Sequence, residues 1–232
     1  MKIQECKALI TGGSKGIGFA IAKVLKDGGA KVAITARDPQ LLNASAKQIG
    51  VEGIVADVRR EQDCSKAVGA ALKSLGGLNV LVNNAGIGYK APLESVEVEL
   101  FKDVWSTNVL GAMLMSREVS HVFKKQKYGS IINIASTAAL RGYENATAYV
   151  ASKFALRGMT QCWQAELRRF NIRVILINPS EVQTNFGRKQ KVTDINPKKL
   201  LADDVAHTVA SCLTMHDRGF VPEITLYATN PW

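Results

Sequence analysis

Tyr149 and Lys153 stand four positions apart in AYVASKFAL, residues 148–156, a stretch made largely of good helix formers. Residues at that spacing share a helix face, with Cβ atoms about 5–6 Å apart. A free phenol titrates near pH ~10, too high for much proton exchange at neutrality. A fixed ammonium beside it favours the phenolate and lowers that value. A tyrosine tuned in this way serves as a general acid or base near pH ~7. A packed tyrosine beside a snorkelling lysine has the same spacing, so the pair alone does not separate chemistry from packing.

A second chemical signal lies near the start of the chain. TGGSKGIG, residues 11–18, follows a β-rich run and opens a helical one. Glycines permit a tight turn and close backbone approach to a ligand, and a helix N-terminus offers free N–H groups to a pyrophosphate. Thr11, Gly12, Ser14, Lys15, Gly16, Ile17 and Gly18 are therefore the candidate contacts. The spacing differs from the common G-x-G-x-x-G fingerprint, but its place at the first strand–helix junction favours a dinucleotide. An NAD site usually carries an acidic residue at the end of the second strand. Here that region reads ITARD, with Arg37 followed by Asp38. Arg37 and Lys15 are two cations suited to a 2′-phosphate, which Arg can grip with two parallel bonds. NADP(H) is favoured over NAD(H), with Asp38 turned toward the ribose as the alternative. After the third strand, Asp57 is placed for an adenine amino group, with Val58 beside it. After the fourth, NNAG supplies Asn83, Ala85 and Gly86, small enough for a ribose to lie flat.

The elements that must hold these residues alternate along the chain. Strands are expected at 7–11, 31–35, 51–56, 78–83, 130–135, 173–178 and 223–227. Helices are expected at 16–27, 39–49, 60–75, 96–108, 110–125, 145–170 and 203–215. Such alternation implies a parallel sheet covered on both faces. Right-handed crossovers then give an α/β, doubly wound, Rossmann-type fold. Residues 1–232 read as one domain without linker or repeat. The least regular segment is 183–200, polar and basic. Ligands of open α/β sheets bind beyond the carboxyl ends of the strands, where the residues named above fall.

TGGSKGIG, NNAG, Ser136 thirteen residues before Tyr149, and YVASK together resemble the short-chain dehydrogenase/reductase family over about residues 7–179. The resemblance implies a single domain with seven parallel strands, commonly assembled as a homotetramer or homodimer. It implies an oxidoreductase of the NADP(H) type, related to 3-oxoacyl-carrier-protein reductases, acting on a small carbonyl or alcohol or an acyl thioester. Tyr149 would donate a proton to the carbonyl. Lys153 would hold the nicotinamide ribose and depress the Tyr149 pKa. Ser136 would bond the carbonyl oxygen, and Asn108 would hold a water linking Lys153 to solvent. Pro179, Val182 and Thr184 would meet the nicotinamide amide. The sequence departs from the pattern at Ser180, where the family usually has glycine. If the backbone there needs a positive φ, Ser180 is strained; the expectation is that the loop adjusts. Residues 183–200 would form a short substrate lid, with Arg188, Lys189 and Lys191 as an anion-attracting cluster. Pocket side chains are expected near 87–91, 140–143 and 185–190. The glycine-containing ending common in carrier-protein reductases is absent from EITLYATNPW, in which Trp232 is either an interface residue or a free end. A dinucleotide-binding sensor without turnover is the competing reading; the intact Ser136, Tyr149 and Lys153 argue against it.

Bulk composition sets the bounds. The chain has 232 residues, 47% hydrophobic and 22% charged, with 30 Lys and Arg against 20 Asp and Glu. A net charge of +10 attracts anions, yet no long basic run with interleaved aromatics exists, so nucleic acid is not the expected partner. Four scattered cysteines with no C-x-x-C read as reduced thiols, and three histidines show no metal-ligand spacing. No signal-peptide pattern or run of about 18 apolar residues is present. The expectation is a soluble, cytoplasmic protein without membrane or metal.

Overall fold

Branched and apolar side chains dominate the strands because both faces of the sheet are covered. The computed structural model describes residues 1–184, 186 and 195–230. Its strands are β1 (Lys7–Thr11), β2 (Lys31–Ala36), β3 (Glu52–Val55), β4 (Val80–Asn83), β5 (Gly129–Ile134), β6 (Ile172–Pro179) and β7 (Glu223–Leu226). They form one sheet in the order β3-β2-β1-β4-β5-β6-β7, and every paired neighbour is parallel. The order reverses between β1 and β4, so the crevice for a ligand opens there.

The helices are α1 (Gly16–Asp27), α2 (Pro39–Ile49), α3 (Glu61–Leu75), α4 (Val98–Trp105), α5 (Gly111–Gln126), α6 (Thr147–Leu167) and α7 (Ala202–Thr214). Alternate strand residues serve opposite layers. Ala8, Ile10, Val32, Ile34, Ile132 and Ile175 pack with α1, α2 and α7. Leu9, Ala33, Leu81, Ile131 and Val174 pack with α3 and α5, while Leu176 and Ala135 join Leu156 of α6. This is the Rossmann-type arrangement expected.

One local feature differs from the sequence reading, and one agrees with it. The expected helices 96–108 and 110–125 are joined by a π turn, Ser106–Leu110, in which the Gly111 N–H bonds to the Ser106 carbonyl. Helical backbone thus continues from α4 through the π turn into α5. Ser180 keeps a negative φ, and its N–H donates to the Leu226 carbonyl at 2.8 Å, so a serine fits without strain. Cys6, Cys64 and Cys212 are buried free thiols, and Cys162 is an exposed one. No helix among the described residues is long and apolar enough to cross a membrane.

Candidate active site

The glycine turn is built by close contact. Gly12 has φ +64°, and a Cβ there would sit 2.9 Å from the Ala85 Cα. At Gly18 a Cβ would lie 2.5 Å from the Gly12 carbonyl oxygen. Only glycine satisfies both positions. Thr11, at the end of β1, donates its hydroxyl to the Val82 carbonyl and accepts from the N–H groups of Asn84 and Ala85 at 3.1 and 3.0 Å. Asn84 in turn donates to the Thr11 and Gly12 carbonyls at 2.9 and 3.1 Å. The two strand ends at the switch point are therefore tied together. Ser14 is buried, with its carbonyl receiving the Ser45 hydroxyl at 2.8 Å. Lys15 is exposed at the N-cap of α1, while Ile17 packs toward the core. Gly16 approaches Thr184, its would-be Cβ 3.7 Å from the Thr184 Cβ and Cγ2.

Arg37 is exposed just beyond β2. Asp38 caps α2, its Oδ1 accepting from the N–H groups of Gln40 and Leu41 at 2.9 and 3.1 Å. The cap engages Oδ1 alone, so Arg37 and Asp38 stand side by side at the strand end. Asp57 follows β3 and is gripped by Arg59. Val58 is buried against Gly111, so only its backbone is available to a ligand. Asn83 has only its backbone to offer the crevice. Its side chain is turned inward, donating to Ser116 Oγ and Asn133 Oδ1 at 2.9 Å each, and it braces β4 against β5 instead of facing the crevice. Its neighbour Asn84 does the work at the turn. Ala85 and Gly86 are partly exposed in the loop beyond β4.

The chemical residues meet at the ends of β4 and β5. Ser136 caps a short 3-10 turn, its Oγ accepting from the Ala138 N–H at 3.1 Å, which leaves its hydrogen to donate. Its hydroxyl stands near enough to Tyr149 to favour the phenolate. Lys153 is buried, donates to the Ile134 carbonyl at 3.0 Å and lies 5.6 Å from the Tyr149 ring centroid. Burial pulls the Lys153 ammonium down to about 8. Burial also pushes the Tyr149 phenol up to about 12, against the influence of Ser136. The expected depression by Lys153 is not among the causes of this shift, in which desolvation dominates.

Asn108 lies in the π turn and is buried. Its Oδ1 accepts from the Ile87 N–H at 2.8 Å, and its Nδ2 donates to the Ile87 carbonyl at 2.9 Å and to Ser152 Oγ at 3.0 Å. Ser152 passes its own hydrogen to the Tyr149 carbonyl at 2.7 Å. Both amide hydrogens are spent, so this side chain fastens the crevice wall to α6 and has only a second lone pair to offer a water. Neither Ser152 nor Asn84 was singled out from the sequence, although both sit inside quoted motifs.

Pro179 closes β6, and Val182 forms a parallel bridge with Leu200. Gln183 exchanges two 2.7 Å bonds with Asn196, and Lys199 pairs with Glu181 at 2.8 Å. The base of the expected lid is therefore clasped. Thr184 accepts from the Phe186 N–H, and the Phe186 ring packs 5.9 Å from that of Tyr149. Arg188, Lys189, Lys191, Trp232 and pocket positions 185 and 187–190 lie outside the described residues. Among the other pocket positions, Lys90 stands over the exposed Tyr143 ring at 5.7 Å. No group of three or more His, Cys, Asp or Glu among the described residues is arranged to hold a metal ion.

Comparison with known proteins follows this geometry. Residues 7–194 match the family model described as short chain dehydrogenase. An uncharacterized oxidoreductase of Bacillus subtilis is 32% identical over 227 residues, covering 95% of this chain and 88% of its own. A similar oxidoreductase of Staphylococcus epidermidis is 30% identical over 97% of this chain and 98% of its own. Among solved structures, a 3-ketoacyl-(acyl-carrier-protein) reductase of Brucella melitensis complexed with NADH is 33% identical, with TM-score 0.87 and coverage of 97% and 98% of the two chains. An alcohol dehydrogenase of Thermococcus sibiricus complexed with 5-hydroxy-NADP is 27% identical, with TM-score 0.85 and 96% coverage of each chain. With that match, the seven-stranded parallel sheet and the Ser136–Tyr149–Lys153 cluster at its carboxyl edge, the chain belongs to the short-chain dehydrogenase/reductase family of oxidoreductases.

Proposed function

We propose that the protein is an NADP(H)-dependent oxidoreductase that reduces a carbonyl to an alcohol, reversibly, with Tyr149 as the proton donor. The observation that carries this reading is the convergence of Ser136, Tyr149 and Lys153 at the strand ends beside the glycine turn. The turn fits a pyrophosphate because it leads into the N-terminus of α1, where backbone N–H groups are free for an anion. Arg37 and Lys15 fit a 2′-phosphate; Asp38, the acid that would favour a ribose hydroxyl, is turned to α2 as a helix cap through its Oδ1. When bound, the nicotinamide supplies the hydride.

The chain's own residues do the rest. Ser136, its oxygen already accepting from a backbone N–H, donates to the substrate oxygen and orients it. Tyr149 gives its phenolic proton to that oxygen. Lys153 spends one N–H on Ile134 and keeps two donors for the ribose and the proton path. Asn108 and Ser152 fix the α6 backbone from which Tyr149 projects. Pro179, Val182 and Thr184 line the nicotinamide end. The substrate is a small carbonyl or an acyl thioester, and the setting is cytoplasmic. Exposed Val98, Trp105 and Phe154 on the contacting helices α4 and α6 are apolar surface that a homodimer or homotetramer would cover.

The test is loss of NADPH absorbance against a panel of ketones, aldehydes and acyl thioesters, with NADH in parallel. Substrate-dependent oxidation of NADPH, faster than that of NADH, is expected. Binding of NADPH with no turnover on any member would favour a sensor.

A further inference from the structure

Arg59 has no part in the reading above, yet it makes the densest polar contact near the crevice. It lies two residues beyond Asp57, between β3 and α3. Its Nε donates to Asp57 Oδ1 and Oδ2 at 3.1 and 3.0 Å, its Nη2 to Oδ2 at 2.7 Å, and its backbone N–H to Oδ1 at 3.0 Å. Its Nη1 reaches Asp103 of α4 at 3.2 Å. The Asp57 side chain is only 16% exposed and that of Arg59 33%.

An exposed ion pair would contribute little and specify nothing. This one is bidentate, partly buried and anchored at its far end by a second carboxylate, a geometry that fixes orientation. An ionised carboxylate has about four acceptor positions. Three N–H groups of Arg59 make four contacts with them, two on each oxygen, with the Nε–H shared between both; a further donor can take the place of one branch of that shared bond. Burial pushes the Asp57 carboxyl up, but the bonds and charge of Arg59, with Arg37 beyond, outweigh it and hold it below the usual carboxylate range. Asp57 is therefore a charged acceptor fixed in orientation, with one branch of a shared bond to give up.

We propose that Arg59 is a positioning residue for base recognition: it holds Asp57 in one orientation, from which the oxygen reached by the shared Nε–H can accept the exocyclic amine of an adenine, and Asp103 steadies Arg59 from α4. This rests on the reading of a dinucleotide bound with its adenosine half at the β2–β3 ends. A base with a carbonyl in place of the amine has no donor for that site and meets a fixed negative charge.

The experiment titrates NADPH and its deamino analogue, in which hypoxanthine replaces adenine, against the whole protein, with calorimetry or nicotinamide fluorescence as the readout. The variants are Arg59→Ala, Arg59→Lys and Asp103→Ala. The unaltered protein is expected to favour NADPH by about tenfold or more, as a hydrogen bond to a charged group implies. Arg59→Ala should bring NADPH down to the affinity of the analogue while leaving the analogue nearly unchanged. Arg59→Lys should keep part of the preference, and Asp103→Ala should reduce it. A general folding defect would weaken both ligands alike. If Arg59→Ala does not fold, the other two variants carry the test, and an undiminished preference in both overturns the proposal. An undiminished preference in folded Arg59→Ala does so directly. Equal binding of the two ligands by the unaltered protein removes adenine recognition by Asp57, and the proposal with it. Binding of neither would sink the dinucleotide reading itself.

Discussion

Replacing Lys153 by methionine separates the cost of the buried ammonium from its use. Burial takes this amine from 10.5 to about 8, which at ~1.36 kcal/mol per pH unit makes the charged form cost about 3 kcal/mol in the folded state. Methionine keeps the unbranched shape and carries no charge. It also leaves the Ile134 carbonyl without its 3.0 Å donor, a loss of about 1–3 kcal/mol that does not depend on pH. For a lysine with a depressed folded pKa, the unfolded chain binds the extra proton between pH ~8 and 10.5, so its stability rises with pH across that window. Below pH ~8 the variant should therefore be as stable as the unaltered protein or up to about 2 kcal/mol more stable. By pH 10.5 most of that advantage has gone, and the variant should be the weaker by about 1–3 kcal/mol. Urea unfolding at closely spaced pH values measures the difference. Turnover should fall sharply at every pH. A stability difference that stays flat from pH 7 to 10.5 would refute the burial argument, whatever the activity.

Tyr149→Phe removes the proton donor and should lower kcat by about 10²–10⁴, with NADPH affinity close to that of the unaltered protein; comparable loss of both, by turnover and direct titration, points to a structural tyrosine. Arg37→Asp reverses the charge at the end of β2 and should weaken NADPH binding by about tenfold or more while improving NADH; an unchanged cofactor ratio removes Arg37 from the site. Asn84→Ala takes the donors from the Thr11 and Gly12 carbonyls and should cost about 1–2 kcal/mol in chemical unfolding, with weaker NADPH binding. An effect on neither would show that Gly12 and its neighbours hold the turn unaided.

The strands and the glycine turn were legible because each follows from short-range rules. Runs such as Val80–Asn83 and Ile172–Pro179 are mostly apolar and buried without alternation, as strands covered on both faces must be. Gly12 and Gly18 announced a close approach before its partners were known. What was not legible clusters where one residue of phase decides the outcome. Asn83 and Asn84 are the same residue type side by side, and successive side chains leave a strand on opposite sides; no rule in the sequence says which one turns inward. Asp38 next to Arg37 reads equally well as a ribose ligand or a helix cap, and the Pro39 that follows is the small hint toward the cap. The grip of Arg59 on Asp57 and Asp103 needs a contact across 44 positions, which periodicity cannot reveal. The direction of the Tyr149 shift was misjudged for a related reason: sequence spacing supplies the neighbouring amine but not the depth of burial.

The π turn explains how one continuous stretch of helical backbone serves both the core and the site. A regular α-helix turns about 100° per residue, so one extra residue in the loop of a helical bond rotates everything after it by about that amount relative to what came before. Before the turn, α4 buries Val104. After it, α5 buries Ala112, Leu114, Met115 and Val119. Between them Asn108 is directed sideways, to Ile87 in the crevice wall and to Ser152 on α6. A helix without the extra residue would have to choose between seating α5 on the sheet and delivering Asn108 to α6. The irregularity that sequence patterning reads as a break between two helices is thus the feature that lets a structural helix reach the tyrosine-bearing one, and it places the fastening of the Tyr149 backbone on the same length of chain whose Asp103 steadies Arg59 at the other end of the crevice.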